Sequence, residues 1–210
     1  MNICLIRHGI TQGNTMGRYI GITDEPLCPQ GIALLKERNY PPARRIYISP
    51  LKRCMMTAQI LYPGQEYVIK ADMAECDFGM FENKNYQELK DNPLYQQWID
   101  SNGAMPFPGG ESQESFRSRC VRGFVTAVED AIENHISQAA MVVHGGTIMA
   151  VLERFAVPHR NFYDWQVKNG CGYEITLDEE MWKKGKKEVT VRRKLDFEKR
   201  TAVKHDDQVD

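Results

Sequence analysis

The feature that most constrains the fold of this chain is the alternation of short apolar runs with longer segments of helical periodicity. Apolar runs of strand length lie at 2–7, 45–49, 66–70 and 139–143, and segments with helical spacing of apolar residues separate them. Strands that alternate with helices predict a mostly parallel sheet with helices packed on it. We therefore expect a three-layer α/β/α fold, in which helices flank both faces of the sheet.

Prolines and apolar spacing predict where the helices begin and end. Pro29 is expected to open a helix that ends near Asn39, and Ser49-Pro50 is typical of an N-cap followed by proline at the first helical position. The run at 139–143 is followed by a helix that reaches about residue 157. A long amphipathic helix is predicted from six apolar residues in register, which are Phe116, Cys120, Phe124, Ala127, Val128 and Ala131.

The remaining segments complete this organisation. Residues 86–110 contain three prolines and no strong period, which indicates an insertion of short helices, and the alternating runs 173–177 and 189–195 predict a hairpin at the sheet edge. A chain of 210 residues is within what one α/β domain can occupy. We expect one domain over 1–198, with its helical insertion at about 80–110, and a flexible tail over 199–210.

Composition and charge exclude several classes of protein. The chain is 42% hydrophobic and 26% charged, which is ordinary globular composition, and no apolar stretch reaches the roughly 18 residues that span a bilayer. The net charge of −1 gives no reason to expect a nucleic-acid partner. The six cysteines form no C-x-x-C pair, so neither a zinc site nor a redox motif is indicated. We expect a cytoplasmic protein with reduced thiols, no membrane partner and no metal site.

The charge is nevertheless uneven along the chain. Between Lys183 and Lys204 ten Lys or Arg residues face only three acidic ones. Such a segment is most simply a solvated hairpin and tail, and the alternative is that it attracts anionic substrates.

Three predicted strand-to-helix junctions carry basic side chains. They are Arg7-His8-Gly9, Ser49-Pro50-Leu51-Lys52-Arg53 and His144-Gly145-Gly146. Because the carboxyl ends of parallel strands open onto one crevice, two arginines and two histidines are expected to meet there. Guanidinium groups suit phosphate, and the helix-start amides beside Gly9 and after Gly145 would add donors. These residues predict a phosphoryl site.

Each of these residues also has an ordinary structural interpretation. A single histidine such as His144 at the end of an apolar strand is more often a hydrogen-bonded core residue, and a single arginine such as Arg53 is more often a surface cation. The functional hypothesis depends on the conjunction of three junctions with suitable residue types in the same strand-to-helix context.

These motifs, taken together and in order, resemble those of the histidine phosphatase superfamily, also called the phosphoglycerate mutase-like family. The resemblance spans residues 3 to about 152. It is carried by Leu5-Ile6-Arg7-His8-Gly9-Ile10-Thr11 with Asn14, by Ser49-Pro50-Leu51-x-Arg53-x-x-x-Thr57-Ala58, by Ala74-Glu75-Cys76-Asp77-Phe78-Gly79, by Pro108-Gly109-Gly110-Glu111-Ser112 and by His144-Gly145-Gly146.

The resemblance implies a role for each matching residue. His8 would be the nucleophile that forms a phosphohistidine, and Glu75 would be the general acid, with Glu82 and Asp77 as alternatives for the acid. His144 would be cationic and donate to the transferring group. The residues expected to bind the phosphoryl oxygens, or to lie near them, are Arg7, Arg53, His144, Thr11 and Asn14. No metal ion or cofactor is implied, because the arginines would neutralise the developing charge.

The segment after Glu75 favours one activity within the family. The family's mutases carry Arg-His-Tyr-Gly beside the acid, whereas Cys76-Asp77-Phe78-Gly79 stands here. The resemblance therefore favours a phosphatase of small phosphomonoesters, similar to α-ribazole phosphatases and broad-specificity phosphatases. A cofactor-dependent phosphoglycerate mutase is the alternative, and a phosphoprotein phosphatase or an inactive binding module is less favoured. The leaving group is expected near the aromatic residues of the insertion, which are also candidates for core or lid packing.

Overall fold

A six-stranded mixed sheet forms the centre of the molecule. We describe it from a computed structural model, in which residues 1–101 and 103–196 are described. The strands are β1 (Asn2–Arg7), β2 (Arg45–Ile48), β3 (Tyr67–Ile69), β4 (Gln138–Val143), β5 (Gly172–Thr176) and β6 (Thr190–Leu195). Their order across the sheet is β3-β2-β4-β1-β5-β6. The first four strands are parallel to each other, and β5 and β6 form an antiparallel hairpin at one edge, as predicted.

Helices cover both faces of this sheet. They are α1 (Gln12–Thr15), α2 (Pro29–Lys36), α3 (Lys52–Leu61), α4 (Tyr86–Leu89), α5 (Pro93–Asp100), α6 (Gln113–Glu133), α7 (Gly145–Phe155) and α8 (Glu179–Lys183). Side chains alternate across a strand. In β1, Ile3 and Leu5 join one buried cluster with α6 and α7, whereas Cys4 and Ile6 join another with α3. The predicted three-layer α/β/α fold is confirmed.

Two helix boundaries differ from the prediction. The helix expected to start at Pro50 begins at Lys52, with Leu51 as its N-cap, and Ser49 instead bonds to His144. The helix from Pro29 ends at Lys36, before Asn39. The short helices α1 and α8 carry no apolar periodicity long enough to detect, so the sequence did not predict them.

The segment 86–110 contains the short helices α4 and α5, as expected for the insertion. Tyr95 and Phe107 are buried in a third apolar cluster with Phe81 and Phe116, and Trp98 packs against that cluster. Tyr86 and Met105, by contrast, are exposed. The predicted tail 199–210 lies outside the described residues, and the domain limits stay a prediction.

The sheet order brings three strand ends together. β1 lies between β4 and β5, and β4 lies between β2 and β1, so the carboxyl ends of β1, β2 and β4 are neighbours at one edge. All six cysteines are buried and unpaired. Among the residues described, every helix is too short or too polar to span a lipid bilayer.

Candidate active site

The ends of β1, β2 and β4 bring four basic side chains into one buried site. His8 is 3% exposed and follows β1, while Arg53 on α3 and His144 after β4 have no exposed surface. The two imidazole rings are edge-to-face, with centroids 5.2 Å apart. The surface-cation interpretation of Arg53 is therefore wrong, and His144, although buried like a core histidine, lies beside a second imidazole ring.

The tautomer of His8 follows from its hydrogen bond. Nδ1 lies 2.7 Å from the carbonyl oxygen of Gly9, and a carbonyl oxygen can only accept a hydrogen bond. Nδ1 therefore carries the proton, and Nε2 keeps its lone pair. Burial lowers the pKa of His8 well below 6.5, and the charges of Arg53 and Arg7 lower it further. His8 is thus neutral and available as a nucleophile at neutral pH.

The two arginines are held by backbone oxygens, and the buried Nε atom of each has no partner. Arg53 donates to the carbonyls of Ile20, Gly21 and Thr23, at 3.4, 2.7 and 2.8 Å. Arg7 donates to the carbonyl oxygen of Val167 at 2.8 Å. The buried Nε atoms of Arg7 and Arg53 have no hydrogen-bond partner. Because an unpartnered buried donor is costly, this site is suited to an anionic ligand that accepts from them.

Hydrogen bonds between side chains and backbone hold the first turn after His8. The amide of Gly9 donates to Oγ1 of Thr57 at 3.0 Å, so this amide is engaged within the protein. Thr11 and Asn14 hold each other in a reciprocal cap at the start of α1. This cap fixes the Asn14 side chain close to the His8 backbone.

Asn169 is a site residue that sequence reasoning missed. Its Nδ2 atom lies 3.2 Å from the carbonyl oxygen of His8, 3.3 Å from that of Gly9 and 3.0 Å from Oδ1 of Asn14. It comes from the loop before β5, which matches no motif. The position of that strand beside β1 is the only signal that could have indicated it.

The surroundings of His144 disfavour its charged form. Burial lowers its pKa well below 6.5, and Arg53, His8 and Arg7 lower it further. Its Nε2 atom lies 2.6 Å from Oγ of Ser49, and the sulfur of Cys54 lies 3.5 Å from the same nitrogen. These surroundings disfavour the cationic form expected of His144, because four positively charged or imidazole groups lie together, and the expected charge stays a prediction.

Glu75 lies at the amino terminus of α7. Its Oε1 atom accepts a hydrogen bond from the Cys76 amide at 3.0 Å, and the backbone of Gly146 also bonds to the carboxyl group. A Cβ atom on Gly146 would lie only 2.7 Å from Oε1. Burial raises the pKa of Glu75, and this increase outweighs the lowering by the Cys76 amide and the two arginines. A raised pKa suits a carboxyl group that gives and takes a proton near neutral pH.

The two alternative acids have structural partners elsewhere. Glu82 accepts from the amides of Gly21 and Thr23, at 2.8 and 2.9 Å, and so holds that loop. Asp77 accepts from the Gly79 amide at 2.8 Å and closes a turn. Among these three carboxylates only Glu75 lines the cavity described next.

A cavity of about 490 Å³ opens beside Arg7, Glu75 and Gly145. Arg7 and Glu75 are the only charged side chains among its lining residues in the described parts of the chain. Much of its wall is aromatic, and the seven aromatic lining residues are Tyr19, Phe78, Trp98, Phe107, Phe116, Phe162 and Tyr163. Trp98 and Phe107 thus belong both to the packed insertion and to the cavity wall.

The basic segment lies away from this cavity in the part that is described. Lys187 pairs with Glu129 at 3.0 Å, and Arg193 pairs with Glu174 at 2.7 Å. None of residues 183–196 lines the cavity, which agrees with a solvated hairpin; residues 197–204 lie outside the described ranges. Within 1–101 and 103–196 no three His, Cys, Asp or Glu side chains are grouped so that they could hold a metal ion.

Comparison with known proteins identifies relatives that cover most of the chain. This chain is 28% identical over 189 residues to the adenosylcobalamin/alpha-ribazole phosphatase of Salmonella typhimurium. The aligned residues cover 85% of this chain and 92% of that protein. The chain is 32% identical over 151 residues to phosphoserine phosphatase 1 of Hydrogenobacter thermophilus, with 68% of this chain and 70% of that protein covered.

Solved structures share the fold. The alpha-ribazole phosphatase from Shigella flexneri has a TM-score of 0.78 at 24% identity, covering 93% of this chain and 96% of that one. A phosphoglycerate mutase from Thermus thermophilus has a TM-score of 0.67 at 24% identity, covering 94% and 100%. The profile of the histidine phosphatase superfamily (branch 1) matches residues 3–189. Since this match spans most of the chain, the protein belongs to branch 1 of the histidine phosphatase superfamily.

Proposed function

We propose that this protein hydrolyses small phosphomonoesters through a phosphohistidine formed on Nε2 of His8. The observation that carries this proposal is the neutral His8 with its free Nε2 lone pair, buried beside two arginines whose Nε donors are unpartnered. The chain is a phosphatase, because it belongs to the histidine phosphatase superfamily and its relatives are phosphatases. The site residues supply the mechanism.

In the first step the Nε2 lone pair of His8 attacks phosphorus, and the bond from phosphorus to the ester oxygen breaks. Arg7 and Arg53 stabilise the charge on the phosphoryl oxygens, and protonated Glu75 gives its proton to the departing alkoxide. In the second step Glu75 takes a proton from water as the water oxygen attacks phosphorus. The bond from nitrogen to phosphorus breaks, Nε2 regains its lone pair, and inorganic phosphate leaves.

Trapping the intermediate tests this mechanism. Enzyme mixed with substrate and quenched in alkali is digested, and mass spectrometry locates the phosphate. We expect it on the peptide that contains His8, and we expect His8→Asn to abolish both labelling and turnover. His159→Asn, which changes a histidine in the exposed loop after α7, is the matched control and keeps both. Phosphate on another residue would overturn the proposal.

The cavity supports a substrate with an uncharged aromatic leaving group. A carboxylate such as that of phosphoserine or phosphoglycerate requires a cation, and Arg7 is the only one among the described lining residues. Arg7 is engaged at the phosphoryl site. Aromatic walls instead stack on planar rings. We therefore favour α-ribazole phosphate, whose base is a fused aromatic ring, over phosphoserine.

Two phosphate esters of primary alcohols test this specificity, because their leaving groups are similar. We expect kcat/KM for α-ribazole 5′-phosphate to exceed that for O-phosphoserine. Trp98→Leu should reduce the first value by roughly ten-fold, the loss of about 1.4 kcal/mol from one aromatic stack. Tyr86→Leu changes an exposed aromatic residue of the same insertion and is the control. A preference for phosphoserine would contradict this substrate class while leaving the phosphohistidine mechanism intact.

The mutase alternative has a direct test. A mutase must retain the carboxylate-bearing glycerate while it reorients, and the described cavity lining offers no second cation for that purpose. With 3-phosphoglycerate and its bisphosphate primer we expect release of inorganic phosphate without accumulation of 2-phosphoglycerate. Isomerisation faster than phosphate release would establish the mutase instead.

The proposed setting is the cytoplasm, with no nucleic-acid partner. Six unpaired thiols and a net charge of −1 support it. Fractionation of cells that express the protein, followed by immunoblotting, tests the location. Recovery with membranes or outside the cell would contradict it.

A further inference from the structure

Arg119 on α6 uses every donor of its guanidinium group. Nε and one terminal nitrogen bond to the two carboxylate oxygens of Glu111, at 2.8 and 2.7 Å. The other N–H groups donate to the carbonyl oxygens of Asp72, Ala74 and Glu75, at 3.1, 2.6 and 2.8 Å. Because a guanidinium has five N–H groups, this set of five contacts satisfies all of them.

Two of the three residues whose carbonyl groups Arg119 holds, Ala74 and Glu75, belong to no helix or strand. A 3-10 turn ends at Met73 and the next begins at Gly79, and the segment between them carries Glu75. The carbonyl oxygens of residues 74 and 75 therefore lack the partners that a helix or a sheet would provide. Arg119 supplies those partners from a neighbouring helix.

Glu111 in turn fixes Arg119. Its carboxylate accepts a bidentate pair of hydrogen bonds from the Arg119 guanidinium. The Ser115 hydroxyl also donates to this carboxylate, at 3.2 Å. Burial raises the pKa of Glu111, but the hydrogen bonds and charge of Arg119 outweigh burial and bring the pKa below its usual value. The Glu111 amide also donates to the carbonyl oxygen of Asp77 at 2.9 Å. Glu111 thus holds the chain before Glu75 through Arg119 and the chain after it through the Asp77 carbonyl.

We propose that the Glu111–Arg119 pair positions the Glu75 carboxyl group for proton transfer. The inference rests on the proposed function, which gives Glu75 that role. Arg119 and Glu111 are absent from the described lining of the cavity, so they act through the backbone of Glu75 and not on the substrate. A pair of this kind holds the acid at the amino terminus of α7 within the small tolerance that proton transfer requires.

Arg122 provides a matched control on the same helix. It pairs with the carboxylate of Asp72 at 2.9 Å, and its side chain is 60% exposed. It therefore contacts the same segment through a side chain, without bonding to the backbone of Ala74 or Glu75. Replacing it tests whether any loss of an arginine from this face of α6 has the same effect.

The experiment measures phosphoenzyme formation in single turnovers with two substrates. 2-Phenylethyl phosphate has a poor leaving group that needs a proton, and p-nitrophenyl phosphate has a good one that does not. Lysine has one ammonium group and cannot reproduce five directed contacts. We expect Arg119→Lys to slow phosphoenzyme formation from the alkyl ester by about 10–100-fold, the effect of displacing the Glu75 carboxyl group by about 1 Å. The reaction of the aryl ester should slow much less. Glu111→Gln should show the same selectivity, and Arg122→Lys should leave both rates unchanged.

The dependence on Glu75 separates positioning from general support of the fold. In a Glu75→Gln background, Arg119→Lys should cause no further loss with the alkyl ester. Equal losses with both esters, or an undiminished loss in that background, would overturn the inference. Thermal unfolding shows whether Arg119→Lys folds. If it does not, the rates of Glu111→Gln with the two esters test the inference in its place. If Glu75→Gln alone slows both esters equally, the failure lies with the acid role in the proposed function.

Discussion

The hydroxyl oxygen of Ser49 lies 2.6 Å from Nε2 of His144, although the two residues are 95 positions apart in the chain. Both are fully buried. This bond joins the end of β2 to the end of β4 and fixes the orientation of an imidazole ring that lies against His8.

Replacing Ser49 by Ala should therefore reduce activity. The ring of His144 loses its orienting bond, and a buried hydrogen bond contributes about 1 kcal/mol, or roughly five-fold in rate. We expect kcat for p-nitrophenyl phosphate to fall by about that factor. Ser137→Ala, which removes an exposed hydroxyl before β4, is the control. Unchanged kcat in Ser49→Ala would show that the bond does not orient His144 for the reaction.

Gly146→Ala should displace the acid. The new Cβ atom would lie 2.7 Å from Oε1 of Glu75 and 2.7 Å from Cζ of Phe116, which is closer than such contacts occur. We expect alkyl phosphates to react about 10–100-fold more slowly, with a smaller effect on aryl phosphates, because the former need the proton. Rates measured with both ester types check this. Full activity toward alkyl phosphates would mean that Glu75 does not act from the position described.

Stability should decrease as the pH falls below about 6.5. His8 and His144 have pKa values well below 6.5 in the folded state, so protons bind to them preferentially in the unfolded chain. Each histidine therefore lowers the free energy of unfolding by about 1.4 kcal/mol for each pH unit below 6.5. The raised pKa of Glu75 acts in the opposite direction, because the folded state then binds the extra proton.

Urea unfolding at pH 7.0 and pH 5.5 measures this dependence. Comparing the protein with His144→Gln isolates one histidine while Glu75 is unchanged. The variant should lose less stability between the two pH values. An identical loss in both proteins would mean that His144 is protonated in the folded state.

Turnover should survive chelation. The charge on the transferring phosphoryl group is neutralised by Arg7 and Arg53, which are part of the chain. We expect full activity with p-nitrophenyl phosphate after exhaustive treatment with EDTA and removal of the chelator. A loss that only a divalent cation restores would contradict the assigned role of the arginines.

The parts of the site that follow a strand could be predicted from the sequence. Arg7, His8 and His144 lie at the ends of apolar runs, and the geometry of a parallel sheet brings such positions together. The same reasoning located the strands β1, β2 and β4 to within one residue at either end.

Contacts between distant loops could not be predicted in this way. Asn169 reaches the His8 backbone from a loop without periodicity, and Ser49 has the local signature of an N-cap while its hydroxyl bonds to His144. The resemblance favoured Glu75 over Glu82 as the acid, but only the folded chain shows that Glu82 bonds to the amides of Gly21 and Thr23. Local sequence contains no information about such partners.

The position of β1 between β4 and β5 also governs when the protein can become active during synthesis. His8 is translated well before the neighbours of its strand, because β1 pairs only with residues 138–143 and 172–176. The contact from Asn169 to the His8 carbonyl spans 161 positions. The nucleophile is thus translated early and its backbone is held late, so a nascent chain that ends between residues 145 and 168 carries Arg7, His8, Arg53 and His144 without the Asn169 contact.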